Sequence, residues 1–296
     1  ATLCIKRLQA ERIDMAFAAS ETVADSNPLQ LPTLRLPVAI ELGEVKLGQL
    51  RLDGSDLLGD LQLAAHWSNN GLRIDTLQLQ RDDLHVSVQG DVQPEGDWPV
   101  QLTGSVQLPP VEGQAWQLAL NATGELQKTL NLDATSTGYL NARLTGELQA
   151  LAEHLPARLR LESAAFKPVA TLPDTLQLEQ IKLDAVGNLD KGYQLSGSAN
   201  LPAEQGPIGL LLAGKVDAKG ARLDALDLNA SDSQRLKLQA NADWQQGLIA
   251  DAKVDWQDFP WLRLYPLEEA PQVVLKRLTA DVQYRDGNYQ GSFKGD

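Results

Sequence analysis

Val100–Leu108 reads VQLTGSVQL, with Val100, Leu102, Gly104, Val106 and Leu108 alternating with Gln101, Thr103, Ser105 and Gln107. Successive side chains of a strand point to opposite faces, so a period of two gathers every apolar residue of this stretch on one side. A helical period of 3.6 would scatter them around the axis. Leucine favours helices over strands, yet the spacing decides for a strand with one dry and one wet face.

The same alternation extends in both directions. It covers Val86, Val88, Gly90 and Val92; Leu118, Leu120, Ala122, Gly124 and Leu126; and Leu140, Ala142, Leu144, Gly146 and Leu148. Further on it covers Tyr193–Leu201, Leu210–Val216, Leu236–Trp244 and Leu278–Tyr284. Turn signals separate the runs: Asn69-Asn70-Gly71, Pro94–Asp97, Asp190-Lys191-Gly192, Lys219-Gly220, Gln246-Gly247 and Arg285–Asn288. Alternating runs joined by Gly, Asn and Asp predict antiparallel hairpins repeated into a meander. The expected fold is all-β, one long curved antiparallel sheet with a hydrophobic interior and few short helices. Such helices are expected at Gln149–Leu155 and near Leu262–Lys276, and Leu3–Ser20 suits either state. A Pro-bearing connector from Glu21 to Pro37 divides an N-terminal segment, residues 1–35, from a continuous sheet over 36–296.

At about 8–12 residues per strand and turn, the chain supplies about 20 strands or more. At about 4.8 Å between neighbours that sheet is on the order of 100 Å long. Open sheets rarely exceed about 10 strands without curling or splitting. Curling leaves an apolar trough that needs an occupant. The interior glycines Gly90, Gly104, Gly146, Gly197 and Gly214 either let the sheet bend or fit beneath bulky neighbours. The candidate lining residues are the apolar phase: Val86, Val88, Val92, Val100, Leu102, Val106, Leu118, Leu120, Leu126, Leu140, Leu144, Leu148, Leu195, Leu210, Leu212, Val216, Leu236, Leu238 and Val282. A sandwich or closed barrel also hides one face of each strand. Three features favour an open trough here: no long helices to cover the sheet, few rings to plug it, and no evident closing point.

Composition narrows the function. The 39 acidic and 26 basic residues give a formal charge of −13, a field that repels polyanions, so no nucleic-acid partner is expected. Cys4 is the one cysteine among 296 residues, which excludes an intramolecular disulfide and a Cys/His zinc cluster. His66, His85 and His154 lack ligand spacing, and no metal is expected. Neighbouring acids such as Asp82-Asp83 and Glu268-Glu269 point opposite ways on a strand, so they do not converge as catalytic carboxylates. No nucleophile elbow, P-loop or dinucleotide fingerprint occurs. The expectation is a protein without catalysis and without a cofactor. The six tryptophans are read as anchors of strand ends or covers of sheet edges. No apolar run reaches about 18 residues, the length of a membrane-spanning helix. The chain starts without Met and stops within a strand-like pattern, so it is read as an excised piece.

Four phrases in succession, LPVAIELGEVKLGQLRLDG (Leu36–Gly54), LRIDTLQLQRDDLHVSVQGDVQPEGDWPVQLTGSVQL (Leu72–Leu108), LDALDLNASDSQRLKLQANADWQQG (Leu223–Gly247) and WQDFPW (Trp256–Trp261), resemble the TamB family. That family belongs to the wider AsmA-like, repeating β-groove group. The likeness covers most of Leu36–Asp296 and resembles a middle region. It implies a taco-like curved sheet with a hydrophobic interior that takes phospholipid acyl chains. It further implies a periplasmic location in a Gram-negative bacterium, an inner-membrane anchor, and a reach to the outer membrane with TamA as partner. The anchor and the C-terminal region for TamA are expected outside this piece. The resemblance implies phospholipid movement between the membranes. The alternative is a scaffold for assembling outer-membrane β-barrels and autotransporters, which would receive strands at an open sheet edge.

Overall fold

The computed structural model describes residues 2–15, 31–52, 55–245, 247–267, 275–285 and 287–296. Within them the chain forms twenty strands and two single turns of 3₁₀ helix, and it divides into two units, Ala1–Pro156 and Ala157–Asp296. The all-β class expected from the alternation is the observed one.

Unit 1 contains β1 (Thr2–Ile5), β2 (Leu8–Met15), β3 (Ala39–Leu52), β4 (Ser55–Leu58), β5 (Asp60–Ser68), β6 (Gly71–Arg81), β7 (Leu84–Val92), β8 (Pro99–Val111), β9 (Gln114–Glu125), β10 (Leu130–Gly138) and β11 (Ala142–Leu148). From β5 to β11 each strand pairs antiparallel with the next. Strand β3 also runs antiparallel to β4 and β5, whereas β1 and β2 lie parallel along its other side. The segment that suited helix or strand is therefore strand as far as Met15, because β3 offers it a free ladder of N–H and C=O groups.

Unit 2 is an unbroken antiparallel meander: β12 (Ala157–Phe166), β13 (Leu178–Asn188), β14 (Gly192–Leu201), β15 (Ile208–Val216), β16 (Gly220–Ser231), β17 (Gln234–Asp243), β18 (Ile249–Gln257), β19 (Arg277–Arg285) and β20 (Asn288–Gly295).

The helix expected at Gln149–Leu155 is corrected. Residues 149–155 form successive tight turns, held by Ala152 N–H to Gln149 C=O and Leu155 N–H to Ala152 C=O. The apolar side chains there are too few to hold a longer helix against a sheet. Around Leu262 only Trp261–Arg263 makes a 3₁₀ turn. The remainder of that expected helix over 268–274, with Glu268 and Glu269, lies outside the described residues, as do residues 16–30, Gln246 and Asp286.

Bulges interrupt the ladders where the alternation skips a beat. In β6, Leu72 and Ile74 share a face, the register then slips, and Leu77 and Leu79 regain that face. In β16, Leu223 gives way to Leu226 and Leu228 in the same manner. The local sequences correspond: Gly71-Leu-Arg73-Ile-Asp75-Thr-Leu77-Gln-Leu79 and Gly220-Ala-Arg222-Leu-Asp224-Ala-Leu226-Asp-Leu228. Each bulge carries an Arg–Asp contact, at 3.5 Å for Arg73–Asp75 and 2.7 Å for Arg222–Asp224. An extra residue bends its strand and increases the local twist.

Gly90 answers the question left by the interior glycines. It sits at φ +144°, and a Cβ there would stand 2.1 Å from the Gln101 carbonyl oxygen. Close backbone approach requires the glycine at this position. At Gly104 a Cβ would meet both the Ser87 carbonyl at 2.9 Å and the Val88 side chain at 3.4 Å, so a bulky cross-strand neighbour shares the constraint.

Candidate functional site

The register brings the apolar phases of successive strands into continuous rows. In unit 1 one row runs Leu3, Ile40, Trp67, Leu72, Val92, Val100, Gly124, Leu130, Leu148. The next runs Ile5, Leu42, Ala65, Ile74, Gly90, Leu102, Ala122, Leu132, Gly146. A third runs Leu8, Val45, Leu63, Leu77, Val88, Gly104, Leu120, Ala134, Leu144. The fourth runs Ala10, Leu47, Leu61, Leu79, Val86, Val106, Leu118, Ser136, Ala142. Ser136 is the polar member, and its hydroxyl is satisfied on both sides: Trp116 donates to it at 2.8 Å and it donates to the Leu140 carbonyl at 2.6 Å.

Unit 2 repeats the arrangement. Leu161, Leu183, Gly197, Leu212, Leu226, Leu238, Val254, Ala280 and Phe293 make its central row. On either side run the rows holding Leu195, Gly214, Leu223, Ala240, Ala252 and Val282, and Leu210, Leu228, Leu236, Trp256 and Leu278. Tyr193, Val216, Ala221, Ala242, Ala250, Tyr284 and Tyr289 form the border row.

These faces are not packed like a core. Leu120 is 36% exposed and Val282 38%, and the buried apolar residues of unit 1 are mostly small, such as Ala65, Ala122 and Ala134. Within each unit the strands meet mainly their hydrogen-bonded neighbours, and most apolar side chains of the rows stay partly exposed. Full burial of a Val or Leu side chain is worth roughly 1.5–3 kcal/mol. A face of half-exposed aliphatics therefore leaves much of that stabilisation to be gained from an apolar occupant.

Two features cover parts of these faces. In unit 2 the exception to open packing is a cap at one end of the strands, where Leu201, Ala203, Ile208, Phe259 and Leu264 are buried against Leu228, Leu236, Trp256 and Trp261. Arg263 holds it by donating to the carbonyls of Glu204 and Gly206, both at 2.6 Å, and Thr175 Oγ1 donates to the Leu264 carbonyl at 2.5 Å. In unit 1 the strap Leu31–Leu36 crosses the turns at the Val100 end. Trp98 donates to the Pro32 carbonyl, Gln127 to that of Leu31, and Arg35 forks onto Glu95 at 2.7 and 2.9 Å. That fork holds the Glu95 carboxyl below its usual range and raises the Arg35 guanidinium.

The opposite face is polar. Arg143 grips Asp133 and Arg160 grips Asp184 across neighbouring strands, and each arginine lowers its partner's pKa chiefly by hydrogen bonding. His66 lies on this face between Glu41 and Asp75. Among the described residues no three His, Cys, Asp or Glu side chains are grouped to hold a metal.

Of the nineteen residues picked from the alternation, seventeen lie in these rows. Leu126 and Leu140 do not: each keeps the apolar phase but falls just past a strand end, one residue beyond β9 and two beyond β10, in the β9–β10 and β10–β11 turns. There the backbone leaves the ladder, as when Leu126 N–H bonds the Trp98 carbonyl. The picks missed Ile40, Leu42, Val45 and Leu47 on β3 and Leu72–Leu79 on β6. Their alternation jumps phase at a bulge, and the spacing i, i+2, i+5, i+7 is the signal that finds them.

The family model described as the TamB N-terminal domain matches residues 3–293. The chain belongs to the TamB family. Among curated TamB proteins, the translocation and assembly module subunit TamB of Haemophilus influenzae is 26% identical over 194 residues, covering 60% of this chain and 14% of that protein. The chain thus spans a small part of that TamB relative's length. No solved structure matches the chain. Among the described residues no helix is long and apolar enough to cross a membrane.

Proposed function

We propose that this TamB-family chain holds phospholipid acyl chains on its apolar sheet faces, as part of a conduit between inner and outer membranes in the periplasm that works with TamA. The observation that carries the reading is the set of apolar rows crossing nine neighbouring strands in each unit while many of their larger side chains stay partly exposed. Contact with methylene groups is worth roughly 0.8 kcal/mol per buried CH₂ and has no preferred direction. A chain can therefore slide between equivalent positions without meeting one deep trap. The reading gives no side chain a bond-making role and needs no cofactor.

Charge placed on the rows tests it. Leu144→Arg and Leu212→Asp each put an ion where a fatty chain would lie, whereas Gln107→Asp adds one to the wet face. In a lipid-transport assay the first two are expected to lose transport and the third to keep it. Equal activity of all three contradicts the conduit. If proline in an edge strand does the damage instead, the β-barrel assembly scaffold replaces it.

A further inference from the structure

In unit 1 the β5–β6 and β7–β8 turns and the strap segment Leu34–Leu36 enclose a cavity of about 560 Å³. Small-molecule sites commonly have volumes of about 300–1,000 Å³. Trp67 lines the cavity from the outermost apolar row, together with Asn69, Asn70 and Gln93 of the two turns. The strap is held there by the Leu34 N–H on the Pro94 carbonyl at 2.9 Å and by the Arg35–Glu95 fork.

The lining narrows the ligand by its chemistry. Arg35 engages both carboxylate oxygens of Glu95, so the two charges offset each other. Among the described residues no other ionisable side chain lines the cavity, and an ionic ligand finds no counter-charge. An acyl chain suits it no better, since it would strip water from polar side chains and return no hydrogen bond. A peptide adding a strand needs open backbone groups. The N–H groups of Leu34, Asn70, Gln93 and Glu95 are already bonded, to Pro94, Ser68 Oγ, Pro99 and Gln93.

The side-chain amides are what is left. Among the described residues those of Asn69, Asn70 and Gln93 hold no partner. Each offers two N–H donors and an acceptor oxygen. Beside an indole, such groups match a ring with hydroxyls around its rim and C–H bonds on its face.

The turn itself does not require these residues. The β15–β16 hairpin carries the same Gly-x-Arg-x-Asp pattern from Gly220, yet Val216 stands in the place of Trp67, Ala218 in that of Asn69 and Lys219 in that of Asn70. There Asp217 closes the turn by accepting the N–H groups of Lys219 and Gly220. A ring with two amides is thus particular to the β5–β6 hairpin.

We propose that this cavity binds a neutral saccharide, with a sugar ring against Trp67 and its hydroxyls on the amides of Asn69, Asn70 and Gln93. The site is separate from the acyl-chain reading, and its failure leaves that reading untouched. The sugar comes either as a soluble oligosaccharide or as part of a cell-wall glycan.

Isothermal titration of the whole chain with maltotriose, with tri-N-acetylchitotriose and with an end-blocked trialanine peptide tests the class. Cosedimentation with purified, protein-free cell-wall glycan tests the source. Binding of at least one of these sugars is expected, and none of the peptide. Asn69→Ala with Asn70→Ala, and separately Gln93→Ala, change exposed turn residues and are expected to keep the native urea midpoint. Each is expected to weaken sugar binding by about tenfold, the scale of lost hydrogen bonds. Trp67→Leu keeps the apolar row and is expected to lose sugar binding while retaining lipid. Variant-sensitive binding of the soluble sugars alone assigns a free oligosaccharide, and variant-sensitive cosedimentation assigns the glycan. Binding of no sugar, or binding that these variants leave unchanged, overturns the site. Variant-sensitive binding of the peptide at equal strength overturns the saccharide class.

Discussion

Trp116 donates its indole N–H to Ser136 Oγ at 2.8 Å across β9–β10, and Ser136 passes its own proton to the Leu140 carbonyl at 2.6 Å. One hydroxyl thus ties a strand-end ring to the turn that follows β10, within a row whose other members are apolar. Ser136→Ala leaves an indole N–H and a carbonyl unpartnered. A loss of about 1–3 kcal/mol is expected from such orphaned groups, read as a lower urea midpoint with an unchanged slope.

Phe259 is 3% exposed and sits edge-on to Trp256 at a centroid distance of 5.5 Å. Phe259→Ala opens a cavity in the cap of unit 2, and buried Phe-to-Ala changes cost about 3–5 kcal/mol. Hydrogen exchange should show the loss at Leu201, Ile208 and Leu264, with the amides of β7–β10 in unit 1 unaffected.

Asp133, Asp184 and Glu95 all have lowered pKa values in the folded chain, each chiefly through an arginine's hydrogen bond. A carboxyl lowered on folding stabilises the native state above its unfolded pKa, near 4, and that contribution disappears as pH falls through the lowered value. Stability is therefore expected to stay level from neutral pH to about 5 and to decline below about 4. The pairs are exposed, so salt screens them and each contributes little. Urea midpoints measured against pH, with Arg143→Gln showing a shallower acid decline, check the sign.

Gly90→Val introduces a branched side chain at φ +144° with its Cβ against the Gln101 carbonyl. Backbone strain of this kind costs about 1–3 kcal/mol, and β7 and β8 must part to relieve it. Thermal melting is expected to fall, with less protection of the Leu102 amide.

The middle of each strand was legible because burial on one face writes itself as strict alternation. From Val86 to Leu148 every candidate lining residue lies in an observed row except the two turn positions, whereas Leu130, Leu132 and Ala134 of β10 lie in the rows without having been among the candidates. Bulges were not legible: Asp75 and Asp224 look like ordinary wet-face residues until the register shows that the next leucine has changed phase. The parallel docking of β1 and β2 on β3 was hidden too, since residues far apart in sequence supply its ladder. Of the cap, the sequence shows the rings of WQDFPW (Trp256–Trp261) but not what they pack on. Its partners Leu201 and Ile208 come from a distant hairpin, and nothing local to them announces that contact. Family membership came from the succession of phrases, each degenerate alone, and the match over residues 3–293 agrees with it.

The most direct measurement is organic extraction of the purified chain followed by mass spectrometry of what it carries. Phospholipid is expected at one or more molecules per chain, reduced by Leu144→Arg and Leu212→Asp and retained by Gln107→Asp. A protein that emerges folded and free of lipid, and that takes up none from vesicles, would contradict the claim that these exposed apolar rows are made for fatty chains.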